Sequence, residues 1–87
     1  MDEDFRFDEL IDYAFELRPD WMYWDLYKNL FSCQRPDFSC EYHPGGTFLK
    51  IDGKIGPQQL SQLNRWIIKC ENKYYELFSE TGLKDNV

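Results

Sequence analysis

From Phe7 to Leu17 the apolar residues fall at Phe7, Leu10, Ile11, Ala14 and Leu17, the spacing of one face of an α-helix. Asp8, Asp12 and Glu16 repeat every four residues on the opposite side. Pro19 disfavours helical backbone at Arg18, so a first helix is predicted over residues 6–18. In the next stretch Tyr23, Leu26, Tyr27, Leu30 and Phe31 stand at i, i+3, i+4, i+7 and i+8. That spacing predicts a second amphipathic helix over residues 20–32. It assigns those five side chains to the core, and Trp21 and Trp24 to an adjoining face.

At residue 38 the period changes from helical to alternating. Phe38, Cys40 and Tyr42 alternate with Ser39, Glu41 and His43, as in a strand with one buried face. Pro44–Gly46 reads as a turn and residues 47–51 as the returning strand. Asp52–Gly53 is a two-residue hairpin signal, so a short third strand can follow. A two- or three-stranded antiparallel sheet is expected within residues 38–55. Pro57 then suits the first turn of a long helix over residues 57–80, with Gly82 as its C-terminal stop. Its apolar positions, Leu60, Leu63, Ile67, Cys70, Tyr74 and Leu77, form a heptad-like seam. The predicted fold class is α+β: a single domain over residues 1–87 with two N-terminal helices, a small sheet and one long C-terminal helix.

Composition changes this picture at the surface. The chain has 87 residues, of which three Trp, six Tyr and seven Phe make 18% aromatic. A domain of this size buries only about 60–65% of the surface of its unfolded chain, so some rings are expected to stay partly exposed. The net charge is −6, and all of it lies in residues 1–20, which hold eight acids and two bases. The remainder of the chain is balanced. Direct nucleic-acid binding, which needs basic groups to neutralise phosphates, is therefore disfavoured. Attraction to a basic partner is favoured.

Candidate chemistry is sparse. Cys33, Cys40, His43 and Cys70 offer three thiols and one imidazole, but they lack the close C-x2–4-C pair of common zinc sites. Core and loop thiols are the simpler reading, and no metal or other cofactor is expected. Asp52–Gly53 resembles the middle of a calcium loop, yet Phe48, Lys50 and Gln59 stand where oxygen ligands are needed. Cys40 and His43, three apart on a strand, point to opposite faces and make no nucleophile–base pair. Neither a phosphate loop nor a nucleophile elbow is present. No enzymatic activity is expected. The odd cysteine count, the acidic start and the lack of a long apolar run lead to the expectation of a cytoplasmic protein with no membrane segment.

What remains is a negatively charged face beside aromatic residues. Asp8, Glu9, Asp12, Glu16 and Asp20, with Trp21 and Trp24, are the candidate partner-binding residues. Carboxylates supply encounter rate and competition with phosphate, and indoles supply anchors. The expected function is a non-catalytic acidic binding protein of the inhibitor or immunity type. Such a protein covers a basic nucleic-acid-binding surface of a partner enzyme, as phage anti-defence and anti-CRISPR proteins, DNA mimics and toxin-neutralising proteins do. The alternatives are an oligomerising or adaptor subunit pairing through the 57–80 helix, and a small zinc-stabilised module. A monomer or a homodimer fits each reading.

Overall fold

A computed structural model describes residues 2–46 and 48–78, with side chains from Phe5 onward. The class is α+β. Helix α1 (Asp2–Leu17) leads into strands β1 (Tyr23–Asp25), β2 (Leu30–Gln34), β3 (Phe38–Tyr42) and β4 (Leu49–Gly53), and helix α2 (Pro57–Phe78) follows. The strands form an antiparallel meander in the order β1-β2-β3-β4. The predicted Gly82 stop and the Asp2–Asp4 side chains lie outside the described residues.

The second helix predicted over residues 20–32 is instead a strand, a turn and a strand. Its aromatic residues favour pleated backbone, and two turn formers bracket the bend. Asp25 Oδ1 accepts from the backbone N–H of Tyr27 and of Lys28, each at 3.0 Å. Asn29 takes the left-handed conformation, φ 61°, which asparagine tolerates better than most residues. Its N–H donates to the Asp25 carbonyl at 2.7 Å. The expected core stripe therefore fails along most of its length: Leu26 is 82% and Tyr27 99% exposed, and Tyr23 is 46% exposed. Phe31 alone of the five is fully buried.

β1 and β2 thus join the two predicted strands in a sheet of four, and the short third strand expected after Asp52–Gly53 does not form. Asp52–Gly53 is the end of β4 rather than a hairpin turn. Gly53 has φ +90°, and a Cβ there would lie 2.4 Å from the Asp37 carbonyl oxygen. The reversal between β3 and β4 sits at Pro44–Gly46, as the sequence indicates. There Gly45, at φ +86°, brings backbone within 3.1 Å (measured from an added Cβ) of Leu10 and Phe7 on α1.

Register places Phe31 opposite Tyr42 and Cys33 opposite Cys40, so all four share one sheet face. That face joins Ala14 of α1 and Leu63, Trp66 and Cys70 of α2 in a single core. Trp66 is its centre: the rings of Phe31 and Tyr42 stand edge-on to the indole at 5.1 and 5.2 Å. The buried line of α2 is therefore Leu63–Trp66–Cys70, and Leu60 of the predicted seam is 38% exposed. The other sheet face is polar. On it, Lys28 Nζ lies 2.6 Å from Glu41 Oε2, and this hydrogen bond and charge hold the ammonium pKa above its ordinary value.

Candidate functional site

Leu10 and Ala14 are fully buried, which fixes the rotation of α1 and turns its acids outward. Asp8, Glu9, Asp12 and Glu16 are all exposed. Successive members of the Asp8, Asp12, Glu16 row are about 5–6 Å apart, a spacing at which like charges repel.

The structure divides the seven candidate residues among separate places. Asp8 and Asp12 meet Trp24 in a cleft of about 520 Å³, with Phe7, Ile11 and Asn29 completing its lining. The cleft is the seam between α1 and the β1–β2 hairpin. Trp24 is half-buried, and its indole stands edge-on to Phe31 at 4.8 Å, so the core holds this wall in place.

Glu9 faces the other flank of α1, where its carboxylate lies 3.8 Å from Lys73 Nζ. Lys73 also sits 3.5 Å from Glu76 and 5.2 Å from the centre of the Tyr13 ring. Asp20 lines a second cleft, of about 290 Å³, together with Arg18, Arg65 and Lys69. Its negative charge is thereby set among cations. Arg18 itself is held between α1 and the connection to β1: Nη1 donates to the Phe15 carbonyl at 2.8 Å and Nε to the Met22 carbonyl at 2.9 Å.

Trp21 lies apart from Trp24. Its indole stands edge-on to Phe38 at 5.7 Å, and its N–H donates to Gln62 Oε1 of α2 at 2.9 Å. Both tryptophans are half-buried and pack on the core, so neither projects freely from the surface.

The side chains that do project are Leu26 and Tyr27, at the tip of the β1–β2 turn. That turn ends at Asn29, in the wall of the Asp8–Asp12–Trp24 cleft. Helical periodicity concealed them by assigning both to the core. The usable signal was the pair Asp25 and Asn29, turn formers four residues apart.

The cysteine set is not assembled. Cys33, Cys40 and Cys70 are unpaired thiols with essentially no exposed surface. His43 stacks on Phe7, with ring centroids 5.7 Å apart. Among the described residues no group of three or more Cys, His, Asp or Glu side chains is placed to hold a metal ion. Burial pushes the Cys40 and Cys70 thiols up to about 12, so they stay protonated and poorly nucleophilic at neutral pH. Among the described residues no helix is long and apolar enough to cross a membrane. Compared with known protein families, with curated proteins and with solved structures, the chain matches none.

Proposed function

We propose that the chain is a non-catalytic binding protein of the inhibitor or immunity type, and that α1 and the β1–β2 turn cover a basic surface of a nucleic-acid-processing enzyme. The observation that carries this reading is the cleft in which Asp8 and Asp12 stand beside Trp24, next to the wholly exposed Tyr27. Carboxylates on a helix face attract the Lys and Arg groups that otherwise hold phosphate, and the attraction raises the rate of encounter. Tyr27 and Leu26 supply apolar area at the rim, and tyrosine is among the residues enriched in interface hot spots. The turn bonds from Asp25 hold both in place before binding, so little ordering is lost in the complex.

The reading narrows the interface. Asp8, Asp12, Trp24, Leu26 and Tyr27 form its centre and Glu16 its margin. Glu9, Asp20 and Trp21 contribute less, because Lys73 lies beside Glu9, Arg18, Arg65 and Lys69 share the cleft of Asp20, and Gln62 holds the indole.

Affinity capture on the immobilised protein tests the proposal. A captured partner should be basic, should elute at about 0.5 M salt, where the screening length falls to a few ångströms, and should be lost with Asp8→Lys/Asp12→Lys. A partner that is acidic, or whose binding survives the double reversal in a folded variant, overturns the reading.

A further inference from the structure

The sheet has two open edges, and they differ. β1 is three residues long and borders the acidic cleft, whereas β4 runs five residues with no strand beyond it among the described residues. Between β3 and β4, the His43 N–H donates to the Phe48 carbonyl at 3.2 Å and the Lys54 N–H to the Asp37 carbonyl at 2.9 Å. Bonded and non-bonded pairs alternate along an antiparallel ladder, so Lys50 and Asp52 also direct their backbone groups at β3. Leu49, Ile51 and Gly53 therefore turn their N–H and C=O groups outward, away from the sheet.

This outward row is complementary to itself. A two-fold axis through Ile51 sets Ile51 against Ile51 of a second copy, and Leu49 against Gly53 of that copy. Each is a position that exchanges two backbone hydrogen bonds. The same register sets Lys50 opposite Asp52 of the second copy, and Asp52 opposite its Lys50. Those are the closer, non-hydrogen-bonded positions, with Cα atoms about 4.5 Å apart, where opposite charges on neighbouring strands attract. Within one chain Lys50 and Asp52 make only a loose, exposed pair at 3.8 Å. On the helix-bearing face, half-buried Ile51 meets its counterpart. Leu49, 44% exposed, faces a glycine that leaves it room.

A lysine on an edge strand ordinarily repels further strands. Lys50 does so toward any strand that offers no acid, but toward a second β4 it meets Asp52. We infer that β4 pairs antiparallel with β4 of a second copy, centred on Ile51, and so joins two four-stranded sheets into one. The inference is independent of the acidic-cleft reading, since β1, which borders that cleft, is the strand at the opposite edge of the sheet and β4 contributes no residue to the cleft lining.

Sedimentation and light scattering of the full chain from micromolar to millimolar concentration test it. The mass should rise toward twice the 10.6 kDa of one chain. Lys50→Asp and Asp52→Lys should each weaken association about tenfold or more, because each replaces two attractive cross-strand pairs with two repulsive ones. The combined Lys50→Asp/Asp52→Lys variant restores complementarity and should return association to within about threefold of the parent. Leu49→Pro removes an outward N–H that β3 does not use, and should leave a folded monomer. Should that variant fail to fold, the charge-swap series decides alone. A monomer at every concentration overturns the inference. So does a dimer indifferent to both single reversals, or a double swap no better than the singles.

Discussion

The indole N–H of Trp66 donates to the carbonyl of Ala14 at 2.9 Å, which ties α2 to the last turn of α1 in the middle of the core. A helix leaves its last four carbonyls without helical partners, and Ala14 carries one of them. Because Ala14 is fully buried, no water replaces the indole if it is removed. Trp66→Phe keeps an aromatic ring, though a smaller one, but strands this carbonyl, and should cost about 1–3 kcal/mol. In a chain of this size each kcal/mol corresponds to a fall of about 4–8 °C in the midpoint of a thermal melt followed by circular dichroism. Trp66→Ala should cost about 3–5 kcal/mol, enough to unfold much of the population.

The Asp8→Lys/Asp12→Lys reversal that should abolish partner binding is expected to leave the fold nearly untouched. Both side chains are exposed, and exposed charge pairs on a helix contribute a few tenths of a kcal/mol. A denaturant melt should place the variant within about 0.5 kcal/mol of the parent. Loss of binding would then be a loss of contacts, not of structure.

Stability should decline in alkaline solution. Burial raises the Cys40 and Cys70 thiols from an ordinary value of 9.0 to about 12, and it also raises Cys33 and Tyr42. Between pH 9 and 12 the unfolded chain releases these protons while the folded chain keeps them. The stability present below pH 9 is therefore lost as pH rises, by about 1.4 kcal/mol per pH unit for each such thiol. Urea melts at stepped pH should show this slope, and Cys70→Ala should reduce it while lowering stability at pH 7. A stability that stays flat to pH 11 would mean that the thiols are not desolvated.

Gly53→Ala should damage the end of β4. The backbone there has φ +90°, unfavourable for alanine, and the added methyl would lie 2.4 Å from the Asp37 carbonyl oxygen. A cost of about 1–3 kcal/mol is expected, with faster amide exchange at the ends of β3 and β4. Asn29→Gly is the contrasting change. It relieves a positive φ without any clash and should be neutral or mildly stabilising.

How much of this was legible in the sequence depended on whether one pattern had competitors. Leu10 and Ala14 of α1, and Phe38, Cys40 and Tyr42 of β3, are buried as their spacing indicated, because nothing nearby contradicted either period. Tyr23 to Phe31 matched a helix by spacing and a strand–turn–strand by composition. Tertiary pairing settled it: Trp24 pairs with Phe31 across β1 and β2, which no helix permits. On α2 the predicted seam located Leu63 and Cys70, and Ile67 packs half-buried against the core, but a strict three–four repeat passes over Trp66, which the wider helical face buries. The exposure of the α1 acids followed from the first helix face. Their separation did not, since Arg65 and Lys69 beside Asp20 and the Lys73 neighbour of Glu9 come from α2, more than forty residues away.

The strand order has a consequence for synthesis. Each strand pairs with the one before it, so every turn of the meander closes a short loop, and such local pairings form early. The contacts that span the chain are those of the two helices, such as Trp66 to Ala14 and Arg6 Nη1 to the Leu77 carbonyl at 3.2 Å. A ribosome delivers the whole sheet before it delivers α2. Until then Phe31, Cys33, Cys40 and Tyr42 lack the cover that Leu63, Trp66 and Cys70 supply. The nascent chain is therefore most prone to aggregate in the interval before α2 emerges, and completion of α2 ends that exposure.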